Sequence, residues 1–64
     1  MHIVIGKEDG YIRIIGQEFT TYVNTLYSFY RLIKALGVVS ASFDTSISND
    51  LLLVAQLQLQ LNRD

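Results

Sequence analysis

The stretch LLLVAQLQLQL, Leu51–Leu61, decides how this 64-residue chain is read. Leucine stands at every second position from Leu51 except at Ala55, and glutamine fills the alternate positions after Val54. A period of two is the mark of a strand with one buried face. The stretch therefore reads as a strand with Leu51, Leu53, Leu57, Leu59 and Leu61 turned to a core, preceded by the turn cluster Ser48-Asn49-Asp50. Its other face begins with Leu52 and Val54 before giving way to Gln56, Gln58 and Gln60.

Upstream, Val39, Ala41, Phe43, Thr45 and Ile47 alternate with a polar row of serines and Asp44, which predicts a half-buried strand. Before Gly37 the period is three to four. Phe19, Tyr22, Val23, Leu26, Phe29, Tyr30, Ile33 and Leu36 predict a helix from about Gln17, ended by Lys34 and Gly37. Tyr27 and Leu32 fall outside its apolar arc, one on each flank. At the start, His2–Gly6 and Tyr11–Gly16 are β-branched runs flanking GKEDG, which predicts a hairpin. With Ile5 opposite Ile12 and Ile3 opposite Ile14, these four isoleucines share one face.

The predicted architecture is α+β: a single domain over residues 1–64, with two-layer ββαββ order and one helix packed on a four-stranded mixed sheet. Edge strands tend to carry charge. Arg13 on the second strand and Asp44 on the third place those two at the edges, giving the β-grasp-like order 2-1-4-3. In element order and size this resembles the immunoglobulin-binding domains of bacterial surface proteins. No residue motif is shared with them, so the resemblance implies a fold and no activity.

Half of the residues are hydrophobic and 17% are charged, against about 25% charged in typical domains. Domains this small usually need a disulfide, a metal or self-association to be stable. There is no cysteine, and His2 is the one histidine, so self-association is the expected staple. The net charge of −1 gives no field to draw in a polyanion. No leader-like segment and no apolar run of membrane-spanning length is visible, which leads us to expect a cytoplasmic chain with no membrane partner.

Signals of chemistry are weak. Asp44–Asp50 imitates the first half of a calcium loop, but Asn49 stands where glycine is needed and Ala55 where a bidentate glutamate is needed. GKEDG lacks the spacing of a phosphate loop. His2 has no carboxylate or nucleophile beside it in sequence, and the serines of the polar row have no partner that sequence can place. No catalytic residue, cofactor or metal is expected.

The apolar surplus points instead to an interface. Val4, Tyr11, Arg13 and Ile15, joined by Val38, Leu52 and Val54, are expected on the uncovered sheet face, with Tyr27 and Leu32 on the helix flanks. These residues describe a small non-enzymatic interaction protein, expected to self-associate, whose exposed face binds another copy of itself or a larger protein partner. The alternative is a nucleic-acid-associated regulator that stacks bases on Tyr11 beside Arg13, assisted by Arg31 and Lys34. The charge balance disfavours it.

Overall fold

A computed structural model describes all 64 residues. Strands β1 (His2–Glu8) and β2 (Tyr11–Ile15) form the expected hairpin. The turn is Asp9-Gly10, with φ of 52° and 83°, the pair of positive values that matches the right-handed twist of the flanking strands. This two-residue turn sets Glu8 against Tyr11, Ile5 against Ile14 and Val4 against Ile15, so Ile5 does not meet Ile12 as predicted. The displacement is even, and an even displacement keeps each side chain on its face. Ile3, Ile5, Ile12 and Ile14 are accordingly all buried together.

The helix expected from Gln17 starts later. Thr20–Val23 is a third strand, β3, antiparallel to β2 with Ile12 against Val23 and Ile15 against Thr20. Two threonines, a tyrosine and a valine in succession suit a pleated surface better than a helix. Phe19 and Val23 imitate a helical step of four only because both reach the core from a loop and a strand. Helix α1 spans Leu26–Leu36. Its N-cap is Thr25, whose hydroxyl accepts a hydrogen bond from the Ser28 N–H at 3.0 Å. Gly37 ends it as predicted, with φ 67° and its N–H shared between the Ile33 and Lys34 carbonyls.

Strand β4 is Ser40–Phe43, parallel to β1 with Ile3 beside Ala41 and Ile5 beside Phe43. The alternation through Thr45 and Ile47 predicts a longer strand. β4 stops because the Asp44 carboxylate accepts the Ser46 N–H at 3.1 Å and turns the chain.

Leu51–Leu61 is not a strand but the body of helix α2, Asn49–Arg63. Leucine, alanine and glutamine are strong helix formers, and Val54 is the one β-branched residue in the stretch. Ser48 caps the helix by accepting the Leu51 N–H at 3.3 Å, Asp50 lies in the first turn and Arg63 in the last, all favourable to the helix dipole. The element order is therefore βββαβα and the strand order β3-β2-β1-β4, in place of the predicted ββαββ with order 2-1-4-3. What stands is the α+β class and the four-stranded mixed sheet. With the second helix in place of the last strand, the β-grasp resemblance no longer holds.

Both helices cover the isoleucine face. Phe29 and Ile33 from α1, Val38 from the link to β4, and Leu51, Ala55 and Leu59 from α2 join the four isoleucines in one core. On α2 the inward positions follow steps of four, three, one and three through Leu51, Ala55, Gln58, Leu59 and Asn62, the interval of one helix face. Gln58 is buried, and its amide donates to Asn62 at 2.8 Å. Asn62 donates in turn to the Val38 carbonyl at 2.7 Å and the Ile33 carbonyl at 3.1 Å. This polar clasp ties the end of α2 to the end of α1 and satisfies the groups it buries.

Candidate functional site

The sheet face away from the helices was one expected interface. Alternation along the strands puts Val4, Gly6 and Glu8 of β1 there, with Tyr11, Arg13 and Ile15 of β2, Tyr22 of β3 and Asp44 just past β4. Val4 and Ile15 are half-buried neighbours, while Tyr11 and Tyr22 are about half exposed. Leu52 and Val54, expected to enlarge this patch, lie on α2 beyond the opposite face of the sheet. Both are half-buried, and Val54 packs against the core. Val38 is also buried in the core. The open face thus has two aliphatic side chains where five were expected.

Arg13 spans that face. Its guanidinium donates to Glu8 at 3.0 Å and to Asp44 at 2.8 Å, bridging the hairpin to the far edge of the sheet. It crosses β1 over Gly6, the residue paired with Arg13. A Cβ at Gly6 would lie 2.5 Å from the Arg13 Nη2 and 3.1 Å from the Asp44 Cβ, so glycine makes the crossing possible. The N–H of Ser46, then the Arg13 guanidinium, hold the Asp44 carboxyl below the usual aspartate range. The arginine expected beside a base-stacking Tyr11 is thus committed to two carboxylates.

His2 lies at the β1–β4 edge with a serine hydroxyl at each ring nitrogen, Ser40 on one side and Ser42 at 2.8 Å on the other. This joins the first strand to the last. No carboxylate orients the ring as a base would need. No three His, Cys, Asp or Glu side chains gather into a metal-binding group. No helix is long and apolar enough to cross a membrane.

The helices tell more. Tyr27 points outward from α1 at 65% exposure, whereas Leu32 packs against the core. The strongest apolar surface is one that sequence reasoning assigned to the interior. Leu53, Leu57 and Leu61 follow each other at steps of four on α2 and are 65%, 64% and 56% exposed. One helix face takes Leu51 and Leu59 inward, and the same geometry turns these three out. The signal was present in the spacing Asp50, Leu53, Leu57, Leu61, Asp64, which is a helical row, but the strict alternation of leucine concealed it. No protein-family model, curated protein or solved structure matches this chain.

Proposed function

We propose that this chain is a small non-enzymatic protein–protein interaction module, associating with copies of itself or with a larger protein partner, and that its contact surface is the outer face of α2. The observation that carries the reading is the exposure of Leu53, Leu57 and Leu61 in one row while the core beneath is complete. Three aliphatic side chains aligned on a helix form the kind of contiguous apolar strip that a partner covers. Covering the exposed part of each contributes about 1–2 kcal/mol. The nucleic-acid alternative draws less support, because Arg13 beside Tyr11 is engaged with Glu8 and Asp44, while the unpaired Arg31 and Lys34 lie on α1 and not on the open sheet face, so the cations form no single track for a phosphate backbone.

Sedimentation of the purified chain over a wide concentration range tests the proposal. The average mass should rise above that of one chain, and Leu57→Gln should return it to one chain without altering the circular dichroism. A chain that stays single at every concentration, alone and with an extract of its host, would refute the module. Association that Leu57→Gln leaves unchanged would refute the surface.

A further inference from the structure

The leucine row of α2 is bracketed by acid. Asp50, Leu53, Leu57, Leu61 and Asp64 succeed one another at steps of three, four, four and three, one continuous row on a helix surface. Both aspartates are exposed, and the Asp64 N–H still donates to the Gln60 carbonyl in helical fashion. The outer face of α1 has the opposite sign. Tyr27, Tyr30, Arg31 and Lys34 share it, and Leu26–Leu36 contains no acidic residue. The Arg31 guanidinium lies 5.8 Å from the centre of the Tyr27 ring and the Lys34 ammonium 5.9 Å from that of Tyr30, so each cation rests beside an aromatic face. None of these four charges is in an ion pair, since both ion pairs of the fold belong to Arg13.

We infer that the occupant of the α2 leucine row is the outer face of α1 on a second copy of this chain, an inference that rests on the association reading above. Charge decides among the three helix pairings that two copies can make. Joining α2 to α2 brings Asp50 and Asp64 against aspartates, and joining α1 to α1 brings Arg31 and Lys34 against cations. Only α1 against α2 sets the tyrosines on the leucines and brings Arg31 and Lys34, about 4.5 Å apart along their helix, toward the aspartate at one end of the row, with no like charges opposed, which is the complementary arrangement. Both helices lie on the same side of the sheet, so a pair of copies related by a two-fold axis makes this contact twice and leaves neither face open.

Charge reversal and cysteine trapping test the pairing. Arg31→Glu with Lys34→Glu should weaken association at least about tenfold, as should Asp50→Lys with Asp64→Lys, and all four changes together should restore it. If the α1 reversal leaves association at the wild-type level, or the combined variant stays dissociated while folded by circular dichroism, the inference is overturned. The chain has no cysteine of its own, so single introduced thiols report contacts cleanly. Ala35 is exposed one helical step past Arg31, beside that same face of α1, and an equimolar mixture of Leu57→Cys and Ala35→Cys, one of them carrying a tag to separate the products by mass, should oxidise mainly to the mixed disulfide. Predominance of either like-with-like product would overturn the pairing. Failure of this inference is distinguishable from failure of the proposed function. A wild-type chain that never associates sinks both, whereas association lost in Leu57→Gln but indifferent to the α1 reversal sinks only the pairing.

Discussion

Leu57 and Leu59 are two residues apart in sequence, and a strand would place them on the same face. In α2 they part company: Leu59 is 6% exposed and Leu57 64%. Truncating Leu59 to alanine removes buried methyl groups from the core and leaves a cavity, at a cost of about 2–5 kcal/mol. A chain of this length has a total stability of about 3–10 kcal/mol at the usual value per residue, so this one change removes a large share of it. Truncating Leu57 removes atoms already in water, and alanine is the better helix former, so the change stays within about 0.5 kcal/mol. Urea unfolding followed by circular dichroism, at a concentration low enough to keep the chain single, gives both numbers. With a urea slope of about 1 kcal/mol/M for a small domain, the Leu59→Ala midpoint should fall by about 2 M or more and that of Leu57→Ala should hardly move. Should Leu59→Ala lack a folded baseline, Leu59→Val gives a measurable loss of about 1 kcal/mol. Equal losses at the two positions would refute the helix and everything built on its outer face.

Other perturbations probe the open face and the clasp. Gly6→Ala should push the Arg13 guanidinium off Asp44, and the Asp44 carboxyl, followed by NMR titration, should move up toward the ordinary aspartate range; an unmoved titration would show that the guanidinium tolerates the methyl group. Because the folded pKa of Asp44 is depressed, its stabilising contribution is present above the unfolded pKa of about 3.9 and is lost as pH falls through the folded value. The stability gap between the wild type and Asp44→Asn should therefore narrow on acidification below about pH 4, and a gap independent of pH would contradict the assignment. Asn62→Ala should leave the Gln58 amide and the Val38 carbonyl unpaired in a partly buried place, costing about 1–3 kcal/mol and lowering the melting temperature by several degrees. A melting temperature that does not fall would mean that water replaces the clasp at no cost.

Much of the sheet was legible. The β-branched runs with Asp9-Gly10 between them specify a hairpin locally, and the four isoleucines reach the core even though the register differs by two. Gly37 marks the end of α1 because only a residue at ease with positive φ suits the cap. The candidate surface was less legible. Tyr27 stood out by lying off the apolar arc, but Leu53, Leu57 and Leu61 were counted as core, since alternating leucine satisfies a strand's period as well as it hides a helix's.

The sequence by itself determined the Asp9-Gly10 turn, the Gly37 cap, the isoleucine face and an apolar surplus in a chain with few charges. Tertiary structure decided what Leu51–Leu61 becomes. Ser40–Phe43 takes the free edge of β1 in parallel, so no place beside β1 remains for another strand. Four strands spaced about 4.8 Å apart present a face wider than one helix of about 10 Å diameter covers. The space beside α1 is filled by a second helix, built from residues that favour that state. Once the stretch is helical, burying Leu51 and Leu59 turns Leu57 to the outside, a consequence of 3.6 residues per turn that no local pattern of alternation contains.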